Sequence, residues 1–141
     1  DLHKSLGLTA LAIMVARVVW RRLRRPPAPP DGFSPHEVRR AELGHVAMLA
    51  AFNAIPLAGW AMATVSTLGL PLTWFGLADV PWLPVLGTLP IETRAVLEPW
   101  LLLLHKVLAW AGLCLIVGHI GFVWWHERSG RRVLARLSWR R

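Results

Sequence analysis

Residues 104–126 read LHKVLAWAGLCLIVGHIGFVWWH, and this stretch decides the fold. Between its first and last histidines it carries a single formally charged side chain, Lys106. A run this long and this apolar reads as a membrane-crossing helix. His105 and His119 lie fourteen residues apart within it. On an α-helix that spacing returns to within about 40° of the start and rises about 21 Å. Both imidazoles therefore face one side, at two depths of a hydrocarbon core about 30 Å thick. An imidazole in lipid needs a partner, so it points to function. Two on one face suggest two metal centres stacked across a membrane. Gly112 stands midway on the same stripe, seven residues from each histidine. Its missing side chain would let something flat and wide lie against the backbone, and haem fits that description.

Composition supports a membrane protein. The chain has 141 residues, 55% hydrophobic and only 17% charged, which is too apolar for an ordinary soluble domain. Its one cysteine, Cys114, lies within the apolar run, and no CxxCH haem-attachment motif occurs in the sequence. Any haem is expected to be a non-covalent b-type haem. The net charge of +8 does not indicate nucleic acid, because the basic residues cluster beside apolar segments. Nine tryptophans, several near segment ends (Trp20, Trp74, Trp82, Trp100, Trp124, Trp125), match an interfacial aromatic belt.

Working outward, the sequence predicts an all-α membrane protein of one domain, residues 1–141, with three spanning helices at about 3–22, 35–67 and 99–127. The first contains Arg17 near its end, where the side chain can snorkel, and is stopped by Arg21, Arg22, Arg24 and Arg25. The PPAPP run at 26–30 reads as a stiff linker. Ser34-Pro35-His36-Glu37 carries a capping box that opens the second helix. Pro56 should kink that helix. Residues 68–98, rich in Gly and Pro, read as an external loop. Within it Trp74–Leu77 dips into the interface and a short amphipathic turn occupies 91–97. Glu98-Pro99 is expected to start the last helix.

Topology follows from charge. Residues 21–40 and 128–141 hold twelve of the sixteen Lys and Arg, whereas 68–98 holds only Arg94. The basic segments are expected in the cytoplasm, including the C-terminus, and the long loop outside. The chain begins with Asp1, in a segment already helical in pattern, and reads as a fragment or processed product.

His3 and His105 then lie at similar external depths and can ligate one haem from two sides. His119 lies nearer the cytoplasm, and His45 reaches a comparable depth from the second helix. His45 is left open between a ligand and a packing or quinone-facing residue. His36 and His126 read as solvated surface residues. Gly118 and Gly121 read as permitting close helix packing.

The segments HKSLGLTALAIMVARVVWR (3–21), AIPLAGW (54–60), FGL (75–77) and the last helix with its histidine spacing resemble the bacterial cytochrome b561 family of di-haem membrane proteins. The resemblance covers nearly the whole chain and rests chiefly on HKSLG and the LH-(13 residues)-H spacing. It implies a four-helix up-and-down bundle in the bacterial inner membrane, of which these three helices are the remainder. It implies that His3 and His105 hold the external haem and that His119 is one ligand of the cytoplasmic haem. Family members carry the remaining ligand on a helix ahead of the segment where this chain starts. Two haems are thus expected in the intact fold, and one is possible in this chain.

A bis-histidine haem has no open iron position, so it favours electron transfer. The resemblance implies membrane quinone as a partner and superoxide as a possible external donor. Lys4 and Lys106 each follow an external histidine and could pair with haem propionates or draw in an anion. A redox partner protein or homodimer is compatible with this. The competing reading is a cytochrome b anchor subunit that docks a soluble dehydrogenase or hydrogenase. A haem-free helical membrane protein is the third.

Overall fold

The computed structural model describes residues 1–24, 32–131 and 134. The proline linker expected at 26–30 and most of the basic tail lie outside these residues. Three long helices dominate: α1 (Leu2–Leu23), α2 (Pro35–Val65) and α4 (Ile91–Arg128). Each is long and apolar enough to cross a membrane. Between α2 and α4 lie a two-stranded antiparallel hairpin, β1 (Thr73–Trp74) with β2 (Ala78–Asp79), and the single turn α3 (Pro84–Gly87).

α2 begins where the capping box places it. The Ser34 hydroxyl accepts the Glu37 N–H at 3.3 Å, and a Glu37 carboxylate oxygen accepts the Ser34 N–H at 2.9 Å. The other Glu37 oxygen pairs with Arg131, just beyond the end of α4. One acidic residue thus ties together the two helix ends at the arginine-rich end of the bundle.

The start of α4 corrects the sequence reading. Pro99 does not open the helix; it lies inside a helix of 38 residues that begins at Ile91. The expected amphipathic turn at 91–97 is the first two turns of that helix. Pro90 supplies the N-cap, and its carbonyl accepts the Arg94 N–H at 3.0 Å. Pro99 lacks an N–H and so leaves one carbonyl of that turn without its usual donor. Glu98 does not cap α4 but reaches across to α2. Its carboxylate accepts the backbone N–H and the hydroxyl of Thr67, at 3.1 and 3.0 Å, just past the end of that helix. Pro56 likewise lies within one unbroken helix, α2.

The connection between α2 and α4 is more ordered than a loop reading suggests. Leu77 N–H bonds to Trp74 O at 2.9 Å across a turn whose central residues, Phe75 and Gly76, have φ of 51° and 71°. That is the mirror-image turn that matches strand twist, and Gly76 adopts it without steric cost. The hairpin is held by side chains of α1 and the following segment by α2. Trp60 Nε1 donates to Pro81 O, and Thr64 Oγ1 accepts the Leu83 N–H.

α2 is the middle of the assembly, packed against α1 on one side and α4 on the other. Among the described residues the buried hydrophobic side chains are Ala58, Val65 and Leu72, all towards the hairpin end. Elsewhere large apolar residues point outward, Trp110 at 69% and Val117 at 63% exposure among them. Such surfaces are what lipid solvates, and close approach of helix backbones replaces a thick core.

Candidate haem-ligand sites

The geometry brings four histidines together in two pairs. His3, in the first turn of α1, and His105, on α4, have ring centroids 6.1 Å apart with planes at 85°. His45, on α2, and His119, on α4, have centroids 5.5 Å apart at 61°. A metal–imidazole bond of about 2 Å, with about 1.2 Å more to each ring centre, separates two trans imidazoles by about 6.4 Å. The first pair has that separation almost as it stands, and the second is closer by roughly 1 Å. The pairs are separated by the His105–His119 rise of about 21 Å along α4.

His105 is held in a definite orientation. Its Nδ1 lies 2.9 Å from the backbone oxygen of Ile55 on α2. A carbonyl only accepts, so Nδ1 carries a proton, and in the neutral ring the lone pair is then on Nε2. Metal-binding histidines characteristically donate their second nitrogen in this way, which sets both tautomer and ring orientation. The ring also lies against Gly59, where a Cβ would meet His105 Cε1 at 3.1 Å and Nδ1 at 3.3 Å. The close approach of Gly59 to this ring is a feature that the sequence reading does not find. The available signal is a glycine one turn beyond Ile55 in AIPLAGW, but its partner is far along the chain, on the other helix.

Between α1, α2 and α4 at this level lies a cavity of about 330 Å³, lined by His3, Lys4, Pro56, Gly59, Glu98 and His105 among others. Its volume falls in the range of about 300–1,000 Å³ that holds cofactors and small molecules. Lys4 lines it and stands 3.7 Å from Asp1. Lys106 is exposed and does not line it, since adjacent helical residues point about 100° apart.

Gly112 is buried, and the structure places it against α2. A Cβ there would meet Ile55 Cδ1 at 2.7 Å and Phe52 Cε1 at 3.9 Å. It allows α2 and α4 to approach between the two histidine pairs. His126 departs from the expected solvated position. It is 2% exposed, packed by Phe33, Phe122 and Trp125, with neither ring nitrogen bonded among the described residues. Phe33 arrives from before α2, so only the tertiary fold could bury it. His36 is exposed.

Among the described residues no three His, Cys, Asp or Glu side chains converge as a metal cage. A pair of imidazoles beside an apolar cavity instead suits an iron whose other four ligands come from a macrocycle. These residues therefore fit haem. Paired imidazoles between helices apolar enough to span a membrane suit a membrane protein that binds haem.

Comparison with known sequences agrees. The family model for prokaryotic cytochrome b561 matches residues 1–138. Cytochrome b561 homolog 2 of Escherichia coli (strain K12) is 32% identical over 123 residues, 87% of this chain and 60% of that protein's length. The chain belongs to the prokaryotic cytochrome b561 family, and membership implies a b-type haem. No solved structure matches it.

Proposed function

We propose that this chain carries electrons within a bacterial inner membrane, with His3 and His105 as the axial ligands of one b-type haem and membrane quinone as a redox partner. The observation that carries this reading is the 6.1 Å separation of two imidazoles, one of which has its Nδ1 proton held by the Ile55 carbonyl. When bound, haem would supply a one-electron redox centre, held by His3 and His105. The chain's own residues do the rest. The Ile55 carbonyl orients the His105 ring through Nδ1, Gly59 gives that ring room, and the largely apolar cavity lies beside it. Lys4 supplies a positive charge at the mouth, suited to a propionate or to an anionic donor such as superoxide.

His119 is the chain's ligand to a second haem nearer the cytoplasm, and His45 is the imidazole of this chain placed to face it. In this topology the hairpin end is external and the arginine-rich end cytoplasmic, in keeping with the distribution of basic residues. The test is a reduced-minus-oxidised spectrum of the purified protein in lipid, followed by quinol-driven reduction. A low-spin b-type spectrum that quinol reduces in the parent, and that His105→Ala diminishes, is expected. A parent without such a spectrum overturns the reading.

A further inference from the structure

We propose that Ser5 is the positioning residue of His3: its hydroxyl locks the first turn of α1 to the β1–β2 hairpin and so holds the His3 imidazole opposite His105. This rests on reading His3 and His105 as a haem pair. Ser5 is fully buried. Its Oγ accepts the Phe75 N–H at 2.8 Å and lies 3.1 Å from the Asp1 carbonyl and 3.4 Å from that of Thr73. One turn further on, Thr9 Oγ1 accepts the Trp74 indole N–H at 2.9 Å. Ser5 and Thr9 share a helix face, so the hairpin grips α1 at two points along one stripe.

His3 is two residues from Ser5, about 160° round the helix, on the opposite face. Rotation of α1 about its axis would swing His3 away from His105, and the two-point grip opposes that rotation. α1 packs chiefly on α2 and more sparingly on β1, so the hairpin adds a second, separate hold on its orientation. The grip also holds an unusual backbone. Phe75 has φ of 51°, a conformation that bulky residues rarely adopt and that persists where surrounding contacts enforce it. The Ser5 hydroxyl receives the N–H of that same residue, so its loss frees the turn and the helix together.

The experiment uses the whole 141-residue chain in lipid nanodiscs, with Ser5→Ala and, at an exposed position less able to disturb folding, Trp74→Phe. Thr88→Ala, whose hydroxyl among the described residues bonds only to the nearby Val85 carbonyl, is the control. Two readouts are taken: amide hydrogen exchange of the first turns of α1 in haem-free protein, and the low-spin electron paramagnetic resonance signal after haem loading. Ser5→Ala is expected to speed exchange there about tenfold, the size expected for losing a buried hydrogen-bond acceptor. The low-spin signal that depends on His105 should broaden or diminish in the same variant. Trp74→Phe should move both readouts the same way by less, and Thr88→Ala neither. Unchanged exchange, or faster exchange with an identical signal, overturns the positioning role while leaving the haem pair intact. Absence of a His105-dependent signal in the parent overturns the haem reading, and this proposal with it.

Discussion

His105 Nδ1 stands 2.9 Å from the Ile55 carbonyl oxygen, so the ring on α4 is oriented by the backbone of α2. The same stretch of α2 supplies Gly59, against which that ring lies, and Ile55's own side chain, which packs on Gly112. A short segment of one helix thus sets both the orientation of the His105 ring and the distance between the helices.

His105→Ala is expected to abolish the spectrum of the haem bound at the hairpin end. The substitution would remove an imidazole proposed to hold the haem, and the Ile55 carbonyl loses its donor. Haem content and the low-spin absorption bands check this. Full retention of both would remove His105 from the ligand set.

Gly59→Leu is expected to displace the His105 ring and lose haem at that pair, because even a Cβ meets the ring at 3.1 Å. Gly59→Ala should weaken haem retention less, with the ring yielding by a few tenths of an ångström. Haem titration of both variants decides the order, and equal affinity in all three proteins would contradict a role for the close approach.

Gly112 predicts a different phenotype. An added Cβ meets the tip of the Ile55 side chain at 2.7 Å. Overpacking of this kind costs about 1–3 kcal/mol, against a gain of about 1 kcal/mol in helix propensity for Gly→Ala. Gly112→Ala should be near neutral, while Gly112→Leu should lower thermal stability and haem content together. Ile55→Ala should partly rescue the leucine variant by clearing the space. A leucine variant of unchanged stability and haem content would mean the helices do not need this contact.

Haem per chain, measured by the pyridine haemochrome assay on the 141 residues, is expected to fall below two. His45 is exposed and makes no hydrogen bond among the described residues that would fix its ring, in contrast to His105. His45→Ala should leave the His3–His105 haem in place. Two tightly bound low-spin haems in the parent, falling to one in His45→Ala, would instead establish His45 as a full ligand.

At the arginine-rich end, Glu37 precedes the apolar part of α2, and its carboxyl is held down at about 2 by the Ser34 backbone N–H, with Arg131 and the Ser34 hydroxyl adding to the effect. A carboxyl depressed in the folded state contributes stability above its unfolded value, about 4.3, and loses it as pH falls towards the folded value. Glu37→Gln should therefore be less stable than the parent at neutral pH, with the difference shrinking from about pH 4 downward. Parallel pH titrations of thermal unfolding test this. A difference independent of pH would mean that the charge has no part in the contact.

Much of the architecture is legible in local sequence. The capping box at Ser34 and Glu37 is a four-residue signal, and the helix opens where it predicts. Apolar length alone marks three spans. The start of α4 is not legible in the same way, because Glu98-Pro99 carries a valid helix-start signal and Pro90-Ile91 a weaker one. Glu98 in fact bonds across to Thr67, and nothing within a few residues of it reveals that partner. The hairpin is hidden for a similar reason. Strands of two residues have no periodicity to detect, and Ser5 and Thr9, which hold them, lie far upstream on another helix.

The sequence by itself determined the membrane character, the number of long apolar helices, and the placing of His105 and His119 on one stripe. Those follow from hydrophobicity and the helical repeat, which depend on neighbours in the chain. The pairing of His3 with His105 and the matching depths of His45 and His119 were also legible; the tertiary structure alone decided how closely each pair of rings approaches, that His126 is buried, and that Gly59 and the Ile55 carbonyl lie against the His105 ring. Each is a contact between helices, set by how backbones approach and how each helix is turned about its axis, and no local periodicity carries that rotation.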